Sequence, residues 1–422
     1  MSSAFPRRLA LKAAVAPVVI GASGAQEASA ESAQQPVYDL LLRGGHVIDP
    51  KNGVNGRRDV AVRGGQVAEI RTWINPRLAK KIVDVPGMYV TPGLVDMHTH
   101  LFFGPGSAYA DGGNCVPPDG FTLRAGVTTA VDAGSVGWEN FDQFKKNVID
   151  RSKTRVLAFV NIVGKGMAGG QFEQDLTNML ATPAAEMAAA HRDLIIGIKT
   201  AHYEGPDWTP VERSVQAGEA AGIPVMVDFG RNWPQRPLDV LLTHKLRPGD
   251  IYAHMYSGLR GEQTPEGRVN PGMWAGRRRG VLLEVGHGGG SFGWKIAVPA
   301  LREGLTPDLI STDLHITSMN SGMKDMANVM SKFLSLGMPL NDVIAGSTWW
   351  PAKAIGHPEL GHLSVGATAD IAVFSREHGR FGLVDSFGMR MDDRQKLVCE
   401  LTLRAGAVAW DLNGRAAQEF RA

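Results

Sequence analysis

The chain has 422 residues, 44% of them hydrophobic and 20% charged. That is a globular composition, long enough for one large domain and a smaller one. A formal net charge of only +2 gives a nucleic-acid partner no electrostatic support. With Cys115 and Cys399 as the two cysteines, a thiolate zinc cluster is excluded; in an oxidising compartment the pair could bridge, which spacing does not decide.

Pro6-Arg7-Arg8-Leu9-Ala10-Leu11-Lys12 is a twin-arginine pattern, followed by an apolar stretch from Ala13 to Ala25 and by Ala28-Ser29-Ala30. Together these predict an export signal over residues 1–30, cut after Ala30, and a periplasmic or secreted protein. The apolar run is shorter than the ~20 residues that span a bilayer, so no stable membrane anchor is expected. The signal carries three of the 44 basic and one of the 42 acidic residues, which leaves the mature chain formally neutral. Residues 31–36 read as a short polar linker.

From Tyr38 to Val90 short alternating segments are split by Gly and Asn-Gly. Asp39 to Ile48 and Asp59 to Ile70 both read as hairpins. Leu363 to Phe374 and Leu397 to Leu403 are strand-like again at the other end of the chain. Because a small β unit is marginal alone, residues 37–91 and 352–422 are expected to build one small β-sandwich from both chain ends. Between them, over 92–351, apolar strands alternate with helical stretches, the pattern of a parallel sheet. Eight strands are predicted: Leu94–His100, Val127–Ala133, Arg155–Ile162, Leu194–Thr200, Pro224–Phe229, Ile251–Tyr256, Val281–Val285 and Leu309–Leu314. The fold class is therefore α/β, a (β/α)8 TIM barrel with its site at the C-terminal strand ends.

Those ends carry the polar residues worth weighing. His98 and His100 are two apart on one strand, so both imidazoles share a face and can hold one metal ion. The bland alternative is a pair of ordinary half-buried polar residues. Lys199 closes the apolar run Ile195-Ile196-Gly197-Ile198; a buried lysine must be neutralised, paired or modified. Asp228, His254 and Asp313 end three further strands, and a Ser-Thr-Asp such as Ser311-Thr312-Asp313 is otherwise a common helix cap.

Pro92-Gly93-Leu94-Val95-Asp96-Met97-His98-Thr99-His100 resembles the first barrel strand of the amidohydrolase superfamily. The resemblance implies that His98, His100, Lys199, Asp228, His254 and Asp313 ligate one or two divalent metal ions, zinc above all. It also implies that Lys199 is carboxylated to bridge two ions, the alternative being a mouth lysine paired with Asp228. Relatives carry histidine where this chain has Asp228; a carboxylate is an acceptable ligand, and His202 is a possible substitute. Asp313 matches the aspartate that takes the proton of the attacking water, which makes it the expected catalytic residue.

Nearly all of the mature chain resembles the amidohydrolase/deacetylase branch, often labelled dihydroorotase-like, as in Val285-Gly286-His287-Gly288-Gly289-Gly290-Ser291-Phe292 and Met330-Ser331-Lys332-Phe333-Leu334. Dihydroorotases hold the substrate carboxylate with an arginine two residues after the second histidine; Phe102 stands there, which argues against that activity. The resemblance implies instead a metal-dependent hydrolase cleaving an amide or ester of a small acylated substrate, such as an acetylated α-hydroxy acid. Alternatives are a one-metal hydrolase of N-acyl amino acids or cyclic amides, and a non-catalytic binding protein on the same barrel. Asn161, His287 and His315 are candidates to contact substrate or else are buried polar groups with backbone partners. Arg231 or Lys165 could receive a carboxylate. A homo-oligomer is compatible with the helix-rich exterior, and nothing in the sequence selects an interface.

Overall fold

The protein is described by a computed structural model covering residues 35–106 and 108–420. The expected export signal lies outside these residues. No helix among them is long and apolar enough to cross a membrane.

The N-terminal strands are β1 (Tyr38–Asp49), β2 (Val54–Arg63), β3 (Gln66–Arg71), β4 (Ala79–Asp84) and β5 (Tyr89–Pro92). The segment read as a first hairpin is instead the single strand β1, with a bulge between Leu42 and Gly45. A Cβ on Gly45 would lie 2.5 Å from Val90 Cγ2, so the glycines there serve a close strand approach and not a reversal. The second expected hairpin is real: β2 and β3 pair antiparallel across Gly64-Gly65.

The chain then enters the barrel through β6 (Leu94–Thr99), makes the short β7 (Phe103–Gly106), and continues with β8 (Val127–Gly137), β9 (Arg155–Asn161), β10 (Ile195–Thr200), β11 (Val225–Val227), β12 (Ile251–Tyr252) and β13 (Leu282–Leu283). Strands β6 and β8 to β13 form one sheet whose neighbours are all parallel. The eighth expected strand closes the ring through single bridges, Glu284 to Leu309 on one side and Thr99 to Leu314 on the other. His100 N donates to Leu314 O at 2.9 Å and Val285 N to Leu309 O at 3.0 Å. Its inner wall is a cluster that includes Val95, Met97, Val131, Leu157, Phe159 and Met226. Intervening residues such as Ala158, Val160 and Ile198 pack with helical side chains such as Val211 and Phe144, the alternation that parallel strands under helices require.

The chain ends with β14 (Ile371–Val384), β15 (Arg390–Arg404) and β16 (Ala407–Asp411). They join β1 to β5 in one eight-stranded sheet with the order β16-β15-β14-β5-β1-β2-β3 and β4 on β1. Val47, Val60, Val90, Ile371, Val373 and Leu401 share its core, so neither end of the chain completes this unit alone. The expected division at 351/352 falls inside the helix Trp349–Ala354. Ala352, Ile355 and Leu360 pack with barrel strands, and Leu363 is the first C-terminal residue in the core of the terminal sheet.

Candidate active site

β6 delivers His98 and His100, which are 1% and 3% exposed. His100 Nε2 lies 2.9 Å from Asp313 Oδ1, and His98 Nε2 lies 3.7 Å from the same oxygen. The two histidines and Asp313 thus offer three ligand atoms within 4.8 Å of one another. Each ring is oriented from behind. His98 Nδ1 meets Glu284 at 3.2 Å and His100 Nδ1 meets Ser135 Oγ at 2.8 Å. Glu284 in turn accepts from Ser311 Oγ. This is how a ligating imidazole is normally aligned and kept in one tautomer. His98, His254 and Glu284 form a second close group, but Glu284 faces the rear nitrogen of His98, which makes it an orienting acid. Beneath them Thr312 N and Oγ1 donate to Asp96, tying the first strand to the eighth.

Lys199, at the end of β10, is fully buried, with Nζ 3.2 Å from His98 Nε2 and 3.3 Å from Met226 Sδ. It makes no ion pair among the described residues; in particular, Asp228 is not its partner. Asp228 Oδ1 accepts from Arg260 Nη2 at 2.6 Å, while Oδ2 lies 3.4 Å from His254 Nε2 and 3.5 Å from His202 Nε2. His254 donates from Nδ1 to Gly286 O at 2.6 Å, which leaves Nε2 as the ring atom able to ligate. His202 is held at Nδ1 by Glu173 at 2.7 Å.

Backbone conformation marks the same place. His202, His254 and Asp313 all have left-handed φ, at 59°, 64° and 55°. Such strain in residues with side chains is maintained where the surroundings dictate it, and it clusters at functional sites. Gly288 closes over Asp313: a Cβ there would collide with Oδ2.

The electrostatics suit ligation. Burial, reinforced by the Lys199 charge, pushes His98 down to about 4, so its ring is neutral and able to bind metal. Burial opposes ionisation of Asp313, yet His315, His98 and His100 outweigh it and hold the carboxyl well below its usual range. Burial likewise works against charge on Asp228, which Arg260, His254 and His202 override. The Lys199 amine is lowered by burial, against the pull of Asp228, Glu284 and Asp313.

Above these groups opens a cavity of about 310 Å³, lined by Tyr109, His202, Asp228, His254, Arg260, Asp313 and His315, with Gly289 to Ser291 along one wall. A larger cleft of about 620 Å³ lies at the opposite, N-terminal ends of the strands around Gly249, Leu282 and Trp350. It holds none of this chemistry. Of the three candidates for substrate contact, His315 lines the cavity, 3.3 Å from Asp313. Asn161 commits its amide to Gly134 O and Val163 N. His287 is fully buried, with Lys332 Nζ 2.6 Å from Nε2 and Gly288 O 3.0 Å from Nδ1. Lys165 rests over Phe172 and Arg231 over Trp233; the cavity is lined instead by the arginine Arg260. Cys115 and Cys399 are both free and buried.

Glu284, Ser135 and Arg260 were not singled out in the sequence. An acid in Leu282-Leu283-Glu284-Val285 interrupts an apolar strand and was the available signal for the first of them. Ser135, near the end of β8, and Arg260, in a loop, follow no pattern that gives one.

A (β/α)8 barrel with histidines, a lysine and an aspartate converging at its C-terminal strand ends defines an enzyme of the barrel hydrolase class. The amidohydrolase family matches over residues 293–392. A deacetylase of Brucella anthropi is 34% identical over 335 residues, 77% of this chain and 80% of its own. A deacetylase of Agrobacterium fabrum is 32% identical over 373 residues, 85% of this chain and 89% of its own. Among solved structures, an adenine deaminase superposes with a TM-score of 0.80 at 27% identity, covering 89% of this chain and all of its own. A dihydroorotase does so with 0.76 at 29%, covering 87% and 98%. The chain belongs to the amidohydrolase family and is a hydrolase acting on C–N bonds.

Proposed function

We propose that the protein removes an acyl group from a small acylated acid, using a divalent metal, most simply zinc, held at His98, His100 and Asp313. The observation that carries this reading is the convergence of those three ligand atoms, two rear-oriented imidazoles and one ionised carboxylate, under an open cavity. They fit the group. With bonds of about 2.0–2.2 Å, a tetrahedral ion spaces neighbouring ligand atoms by roughly 3.4 Å, between the observed 2.9 and 3.7 Å. Such an ion, when bound, polarises a carbonyl and lowers the pKa of a water to near ~7.

The side chains do the rest. Asp313, ionised and facing the cavity, accepts a proton from water at a carboxylate oxygen and delivers it to the departing nitrogen or oxygen. His315 stands beside it, able to bond the substrate. Lys199, with its amine lowered by burial, is suited to react with carbon dioxide. The nitrogen lone pair forms the N–C bond, a proton leaves, and the resulting carbamate supplies an anionic oxygen toward the metal site.

The relatives named deacetylase support acyl removal, and acetylated α-hydroxy acids or N-acyl amino acids are the substrates we favour. A second reading, ring opening of a cyclic amide, draws on the likeness to a dihydroorotase. Against it, Phe102 is fully buried and stacks edge-on against Phe144, so that position offers no carboxylate receptor. We further propose export through residues 1–30, which a reporter fused to that segment would reveal by its compartment. The function is tested by acetate release from a panel of O- and N-acetylated acids and cyclic amides. Asp313→Asn is expected to lower kcat by about 10²–10⁴-fold, the usual contribution of a general acid–base. Binding of panel members without turnover would favour a non-catalytic binding protein.

A further inference from the structure

Resting on the metal reading above, we infer that Arg260 stands where a second cation would otherwise sit, so that the centre takes one metal ion and Asp228 is not a ligand. Asp228 ends the fifth barrel strand, facing His254, where a second ion would need it. Its Oδ1 is already engaged by Arg260 Nη2 at 2.6 Å, and Oδ2 lies 3.4 and 3.5 Å from His254 and His202 Nε2.

Arg260 is not an incidental neighbour that could swing aside. It is 6% exposed, and its loop is fixed by a buried acid. Glu262 accepts from Arg260 N at 2.9 Å, from Tyr252 Oη at 3.1 Å and from Ser257 Oγ. Ser257 Oγ in turn receives Arg260 Nη1 at 3.0 Å. Glu262 and Ser257 are each 2% exposed and Tyr252 is fully buried. The guanidinium is therefore preorganised with its positive charge on Asp228, and it cannot be deprotonated. A divalent ion at Asp228 would have to displace a buried arginine from its carboxylate partner or lie beside its positive charge, both unfavourable. Its Nε N–H is buried with no hydrogen-bond partner. Arg260 also lines the cavity, so the same charge is available to an anionic group on the substrate.

The test is metal content per folded chain after equilibrium dialysis against excess zinc, for wild type, Asp228→Asn and Arg260→Gln. Thermal melts establish that each variant is folded. The expected contents are one ion for wild type, one for Asp228→Asn and two for Arg260→Gln, where Asp228 and His254 are released to hold a second. Two ions in wild type, none in Asp228→Asn, or an unchanged single ion in folded Arg260→Gln would overturn the inference. Should Arg260→Gln fail to fold, wild type and Asp228→Asn still decide it. Zero ions in wild type would overturn the metal reading itself, an outcome distinct from two, which overturns only this inference.

Discussion

His98 illustrates how much of this site depends on what lies behind it. Its front nitrogen faces Asp313 and Lys199, and its rear nitrogen is held by Glu284, a residue 186 positions away in the chain. The His-X-His spacing was legible because period-two alternation puts both rings on one face. The rear partner was not, because no local pattern encodes a contact across the barrel. If Glu284 orients His98, Glu284→Gln should weaken zinc binding by about 10–100-fold, the usual effect of losing such a partner. A competitive zinc titration measures this, and an unchanged affinity in a folded variant would contradict the assignment. Lys199 carries a second expectation at this scale. Intact-mass measurement near neutral pH with bicarbonate should show the added carboxyl on wild type and not on Lys199→Met.

At the scale of strands and loops, the sequence read well wherever hydrophobic periodicity decides the structure. Seven of the eight predicted barrel strands are laddered, and the eighth, Leu309–Leu314, is joined by one bridge on each side. The last strands are short ladders, β12 and β13 having two residues each. Their apolar runs continue into loops that bend to aim His254 and Glu284, a turn that periodicity does not reveal. The first expected hairpin is one strand, because a glycine pair such as that in β1 signals a bulge as readily as a reversal. Phe102 shows a loop residue acting as core: it is fully buried against Phe144 just beyond the ligand strand. Phe102→Ala should cost about 3–5 kcal/mol, read as a lowered midpoint in urea unfolding. A shift near zero would mean that this loop does not anchor the barrel mouth.

Across the whole molecule, the terminal sheet reaches back to the site. The turn between β14 and β15 places Ser386 Oγ 3.1 Å from His287 O and 3.0 Å from Gly288 O. Lys332 bridges His287 Nε2 and Gly322 O from below at 2.6 and 2.7 Å. Burial pushes Lys332 down to about 7 from its ordinary 10.5, against the partial pull of Asp385 and Asp325. Between those two values the unfolded chain binds a proton that the folded chain does not, so stability rises with pH across that window. The melting temperature of wild type should therefore climb relative to that of Lys332→Met from about pH 7 to about pH 9. Parallel curves would show that Lys332 stays charged in the fold. Such long-range supports were invisible in the sequence, where Lys332 is one residue of an ordinary amphipathic helix.

On the proposed function, His98, His100 and Asp313 serve a metal-dependent acyl hydrolysis. Its most direct test is acetate release from acetylated acids by the protein as purified, after exhaustive chelation with metal loss verified by elemental analysis, and after return of zinc. Turnover is expected to disappear with the metal and to return with it. Turnover that persists in verified metal-free protein would contradict it.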